Sequence, residues 1–236
     1  MIERRPFGEL PGENLRWLKV RRHFSCAAQD GPSPGGWGGL RRWDDEEIAP
    51  SASLALEKHA NIEIVTYVFE GTLAHRDSLG SEGRIEAGDV QVLSAGTGIR
   101  YAEYNPEQAS VRIFRIWIAA ASSGGSPAWG IQPCPPPERS GCFVAIASGF
   151  ESDCDALPIC ACARVLKAKL KVGETIDYVL RDLRLAYLVP SSGVVDVNGV
   201  RIYARDGVAI RDVDIVTITA IEDADVVMVD VHQFLK

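Results

Sequence analysis

The run Glu63-Ile64-Val65-Thr66-Tyr67-Val68-Phe69-Glu70, closed by Gly71 and followed by Thr72-Leu73-Ala74-His75-Arg76-Asp77, decides the fold class. β-Branched and aromatic side chains dominate it, and these pack well on a pleated surface while losing rotamer freedom in a helix. With Gly71 as the turn, the two runs are expected to form a hairpin. Working outward, strand signals recur at Gly88 to Leu93 and at Ser110 to Ala119. In the latter, Val111, Ile113, Arg115 and Trp117 fall on one face and Arg112, Phe114, Ile116 and Ile118 on the other. Phe114 and Ile116 leave both faces largely apolar, the pattern of a strand between two layers.

The carboxyl half repeats the pattern. Arg164 to Val172 alternates lysines with apolar residues, predicting one wet and one buried face. Val194-Val195-Asp196-Val197 and Val200-Arg201-Ile202-Tyr203 flank Asn198-Gly199, the pair that a type I′ hairpin turn demands. Asp206-Gly207 marks another turn, and short strands continue through Ala209-Ile210, Asp214 to Thr219 and Ala224 to Val231. Between the halves lie a Ser/Gly stretch and Pro133-Cys134-Pro135-Pro136-Pro137, which are expected to sustain neither helix nor sheet interior. The predicted architecture is all-β: two jelly-roll-like barrels in tandem, residues 1–120 and 139–236, joined by a linker over 121–138.

Composition narrows the function classes. The 236 residues are 46% hydrophobic and 24% charged, as in an ordinary globular protein. The net charge of −7 argues against a nucleic-acid partner held through phosphates. No stretch approaches the ~18 apolar residues of a membrane span, and the amino terminus lacks a signal-like apolar region, so a cytoplasmic location and no membrane partner are expected. None of the six cysteines, Cys26, Cys134, Cys142, Cys154, Cys160 and Cys162, stands in a CxxC pair, and reduced thiols are expected. Cys160 and Cys162, two apart in a β-rich segment, should be one buried and one exposed.

The chemistry is concentrated between Glu57 and Asn105. Beyond the strings already quoted, this stretch contains Glu57-Lys58-His59, Gly88-Asp89-Val90-Gln91, Ser94-Ala95-Gly96-Thr97-Gly98-Ile99 and Tyr101-Ala102-Glu103. Together with His75-Arg76-Asp77-Ser78, it resembles the signature of the pirin family, two-domain members of the cupin superfamily. Trp17-Leu18, His23-Phe24-Ser25 and Ile113 to Ile118 extend the likeness. The resemblance implies two cupin barrels, the amino-terminal one holding a divalent metal, usually iron, through His-x-His and His-x-Glu. It also implies, for several relatives, oxidation of the flavonol quercetin by dioxygen, and for eukaryotic pirin a nuclear role beside transcription regulators.

Carried over residue by residue, the four ligand positions fall on Glu57, His59, Tyr101 and Glu103, so two imidazoles are replaced by a carboxylate and a phenol. Two readings stay open. In the first, all four bind iron, or manganese, zinc or nickel. The chain is then a quercetinase-type dioxygenase acting on a flavonoid-like or other aromatic molecule, with Glu103 as ligand and proton acceptor. A phenol must then lose a proton whose ordinary pKa is ~10. In the second, metal binding is lost or weakened, Tyr101 fills the space and bonds Glu57 or Glu103, and the chain is a binding or regulatory protein. The sequence names no protein partner.

The remaining motifs have plainer readings. His75 is expected to make a local hydrogen bond or face solvent, and His23 and His232 to be structural. Asp44-Asp45-Glu46-Glu47 reads as a solvated turn. Gly96-x-Gly98 precedes a strand and is no dinucleotide fingerprint.

Overall fold

The computed structural model describes residues 1–25, 37–133 and 141–233; Cys26, Cys134 and the end of the expected linker lie outside them. Its architecture is the expected one, all-β with two cupin units in tandem. In each, a seven-stranded sheet faces a four-stranded one. The large amino-terminal sheet runs, neighbour to neighbour, Ala128–Pro133, Asp89–Ser94, Ile62–Glu70, Val111–Ala119, Leu40–Ile48, Leu18–Ser25 and Gly12–Asn14. The small one runs Glu57–His59, Ile99–Tyr104, Thr72–Asp77 and Glu82–Glu86.

The hairpin expected at Gly71 is a corner instead. Ile62–Glu70 pairs with Asp89–Ser94 and Val111–Ala119 in the large sheet, whereas Thr72–Asp77 pairs with Ile99–Tyr104 and Glu82–Glu86 in the small one. Gly71, at φ 81°, carries the chain across, and a Cβ there would stand 2.9 Å from the Ser110 carbonyl oxygen. Gly193, at φ 76°, makes the same crossing between Arg184–Ser192 and Val194–Val197 in the second unit. The Asn198-Gly199 hairpin forms as expected, both residues at positive φ between paired Val197 and Val200.

Three further expectations need correction. Part of the linker is sheet: Ala128–Pro133 pairs with Asp89–Ser94, its Pro133 at the strand end on the sheet edge where a missing N–H is tolerated. The acidic run is no turn. It lies inside Leu40–Ile48, where Asp44, Asp45 and Glu46 are buried and each has an arginine partner: Arg42, Arg205 and Arg115 respectively. Cys160 and Cys162 are both exposed, with Ala161 between them buried.

The two large sheets share one apolar core. Trp43, Val65, Tyr67, Phe114, Ile116 and Ile118 from the first pack with Ile146, Val165, Tyr187, Val189, Val227 and Val229 from the second. The face of Arg164 to Val172 read as wet therefore contributes Val165 to this core, and Lys167 lies 4.8 Å from the Tyr67 ring. Polar ties reinforce the contact. Arg205 donates to both carboxylate oxygens of Asp45 at 2.7 and 2.6 Å, and His23 Nδ1 lies 2.9 Å from the Tyr187 hydroxyl. Burial drives the His23 pKa down to about 3 and keeps the ring neutral, in the structural role expected of it. The strand Ile2–Arg5 pairs with Gly207–Ile210, so the chain's first residues complete the carboxyl-terminal sheet. No helix among the described residues is long and apolar enough to cross a membrane.

Because this core belongs to both units, they are expected to unfold together. Phe114→Ala, which removes a fully buried ring packed on Trp43 and Phe69, should cost about 3–5 kcal/mol. Calorimetry should record one transition lowered as a whole, not a split into two.

Candidate functional site

Antiparallel register places the motif residues on one wall. Tyr101 stands opposite both Glu57 and Asp77, and Glu103 opposite His75. Residues directly opposite in such a pair project to the same face. Here it is the inner face of the small sheet, and Tyr101, Glu103 and His75 are buried. The facing large sheet presents Gln91, Thr66, Arg115 and Asp44 abreast on four neighbouring strands, with Glu46 two residues along from Asp44. The site is thus the polar filling of an otherwise apolar sandwich, whose ends are closed by the clusters around Leu73, Ile85 and Ile113 and around Ile64, Leu93 and Ile99.

Arg115 occupies the centre of this filling. It donates from Nε and Nη2 to the two oxygens of Glu46, both at 2.9 Å, and from Nη1 to Glu103 Oε2. Glu103 Oε1 accepts from Gln91 Nε2 at 2.7 Å, and Gln91 Oε1 accepts from Trp129 Nε1 at 2.8 Å. Arg115, Glu46 and Glu103 are each less than 5% exposed. Burial alone would push the Glu103 carboxyl up, but the Arg115 charge and the hydrogen bonds outweigh it and hold its pKa down to about 2. Burial would likewise lower the Arg115 pKa, and Glu103 and Glu46 lift it well above the ordinary arginine value. The result is a fixed, paired cation in the barrel interior.

The other two motif residues lie nearer solvent. His59 Nε2 is 3.0 Å from Glu57 Oε2, and the Glu57 side chain is 58% exposed. The hydrogen bond with His59 lowers the Glu57 pKa against a smaller effect of burial. The His59 ring meets Trp117 edge-on at 4.8 Å and Tyr101 at 5.6 Å. Among the described residues Tyr101 makes ring contacts with His59 and His75 in place of the expected hydrogen bond to Glu57 or Glu103. Burial pushes its phenol pKa above the ordinary tyrosine value. Behind Trp117, Arg42 stacks 4.7 Å from the indole and donates to Asp44 at 2.5 Å. Burial, opposed by Arg42 and reinforced by the Glu46 charge, raises the Asp44 carboxyl to about 6.

His75 has the local hydrogen-bond partner expected of it, Asp77, and is buried in place of facing solvent. It is buried between Tyr101 and Trp129, parallel to Trp129 at 4.9 Å, with Nε2 3.3 Å from Asp77 and Nδ1 3.9 Å from Glu103, too far for a hydrogen bond. Reading the sequence alone missed Arg115, Glu46, Gln91 and Trp129 as parts of the site. One signal was available for Arg115: a charge flanked by Ile113 and Trp117 on one face of a strand whose two faces are both apolar.

The donor set does not fit the divalent metal that the resemblance implies. Among the described residues no three His, Cys, Asp or Glu side chains stand together as ligands would. Glu103 is already engaged by a guanidinium and an amide, Tyr101 resists losing its proton, and His59 brings only Glu57 with it. One imidazole and one carboxylate fall short of the three protein donors usual at a catalytic metal.

Glu103 should matter for stability in a pH-dependent way. Glu103→Gln breaks a buried ion pair and should cost about 3–5 kcal/mol near neutral pH. Since folding lowers the Glu103 pKa to about 2, its contribution is complete above the ordinary glutamate range near ~4.3 and is lost as pH falls toward the folded value. Denaturation of wild type and variant should therefore show a gap that is constant near neutrality and narrows at about pH 3.

Comparison with known proteins agrees with this architecture. A family model described as Pirin matches residues 3–118, and one described as Quercetinase C-terminal cupin domain matches residues 145–231. A pirin-like protein of Caulobacter vibrioides is 54% identical over 98% of this chain and 99% of its own length. The quercetin 2,3-dioxygenase of Escherichia coli K12 is 30% identical over 98% of each chain. The crystal structure of the bacterial pirin YhhW from Escherichia coli in complex with nickel(II) superposes with a TM-score of 0.90 at 29% identity, covering 99% of this chain and 100% of that one. Alike in sequence over nearly their whole length and in the pairing of two cupin units, these proteins and the present chain are kin, and the chain belongs to the pirin family.

Proposed function

We propose that this protein is a binding member of the family, not an oxygenase: its amino-terminal unit takes a hydroxylated aromatic molecule at the mouth of the barrel without a metal. The observation that carries the reading is the Arg115 guanidinium bridging Glu103 and Glu46, which places a permanent cation beside the carboxylate a metal would need. The metal-dependent oxygenation that the resemblance implies needs an open coordination position on a bound metal. The donors left over here, His59 and the exposed Glu57, suit a different task.

The aromatic edges of Trp117, His59 and Tyr101 lie together near that mouth, and the Glu57 carboxylate beside them can accept a phenolic proton donor in a hydrogen bond. Among the described residues the buried Trp117 Nε1–H has no hydrogen-bond partner, and it could donate to a ligand oxygen that displaced its cover. Flavonols, which the family resemblance implies as ligands, present ring faces and several hydroxyls, and so match both features.

The test uses protein purified without added metal. Metal content should be well below one equivalent, and quercetin should quench tryptophan fluorescence with the same affinity before and after chelator treatment. Trp117→Phe should weaken that binding, and no quercetin-dependent uptake of dioxygen should appear. A full equivalent of iron, manganese, zinc or nickel together with turnover of quercetin would overturn the reading.

A further inference from the structure

We infer that Arg115 is the determinant that excludes a divalent metal from this barrel: its guanidinium is a built-in cation, and guanidinium and metal are alternative occupants of the same cluster of carboxylates. The inference deepens the proposed function and rests on it, since it names the residue that makes the site metal-free. Its consequence runs against the sequence alone, which suggests that only the two imidazoles at positions 57 and 101 are missing.

Three observations support it. First, the guanidinium is bonded to Glu103, the motif carboxylate on the opposite sheet, and to Glu46 on its own sheet, so a dication approaching Glu103 meets a like charge already in contact with the ligand oxygen. The other Glu103 oxygen is held by Gln91 at 2.7 Å. Second, Arg115 has nowhere to go. It is 4% exposed, lies between Thr66 and Asp44 in sheet register, and an arginine side chain cannot shed its charge. Third, the inner cluster already holds a cation and would be turned from a net charge of −1 to +1 by a dication. Arg42 answers Asp44 and Arg205 answers Asp45, which leaves Arg115 alone to answer Glu46 and Glu103. A dication added to this set would leave excess positive charge in a buried space.

The experiment compares four proteins: wild type, Glu57→His/Tyr101→His, Glu46→Gln/Arg115→Gln, and all four substitutions combined. The Gln pair removes the central cation and one carboxylate while keeping amide groups able to hydrogen-bond each other and Glu103. Nickel(II) binding is read by titration calorimetry and by quenching of tryptophan fluorescence, because Trp117 contacts His59 and Trp129 contacts Gln91. The combined variant should bind one equivalent about 10–100-fold more tightly than Glu57→His/Tyr101→His, the range by which groups contacting metal ligands tune affinity. Equal affinity in those two proteins would overturn the inference. So would a combined variant that melts cooperatively yet binds no nickel. If the Gln pair does not fold, Glu46→Met/Arg115→Met carries the same comparison, since apolar replacement of a buried ion cluster is commonly tolerated. Failure here would leave wild type metal-free and the proposed function standing; failure of that function would show as metal in wild type.

Discussion

Arg115 crosses the gap between the two sheets of the amino-terminal unit, and the polar interior is arranged around its charge. An unpaired guanidinium or carboxylate in that space would be prohibitive, so each member of the Glu46–Arg115–Glu103 cluster depends on the other two. Gln91 and Trp129 extend the cluster by hydrogen bonds, and Trp129 in turn stacks on His75. The strand carrying Trp129 comes from the stretch that joins the two units, so the connection is also part of the site wall.

The same economy governs the junction between the units. Strand Leu40–Ile48 sends Asp44 and Glu46 into its own sandwich and Asp45 toward the carboxyl-terminal unit, where Arg205 receives it. Alternation along one strand thus serves two interiors, with Arg42 and Arg115 meeting it on one face and Arg205 on the other. A shared apolar core and the pairing of the first strand with the second unit's sheet make the two cupins one cooperative body.

Within the family, a common scaffold is shared over nearly the whole chain. The nickel-bound relative superposes closely on this chain; the wall described here carries an acid–imidazole pair nearer solvent, a protonated phenol and an arginine-bound carboxylate. Fold fixes where side chains meet; their chemistry decides what the meeting place does.

Local chemistry was legible in the sequence. Runs of β-branched residues announced the strands, Asn198-Gly199 announced its hairpin, and the Glu57 to Asn105 motif announced the family and the wall on which His59, Tyr101 and Glu103 stand. Partner choice was not legible, because it depends on which strands meet through space. Gly71 looks the same in sequence whether it closes a hairpin or turns a corner between sheets; only the pairing of the flanking strands distinguishes them. Asp44-Asp45-Glu46 reads as solvated until Arg42, Arg205 and Arg115 are brought to it, the second from 160 residues away. Arg115 likewise reads as an isolated charge in an apolar strand. Sequence determined which polar side chains stand on the motif strands of the first unit, residue types that cannot be buried alone. Tertiary structure decided that its cation is the chain's own, because only folding sets Arg115 between Glu46 on its own sheet and Glu103 on the sheet opposite.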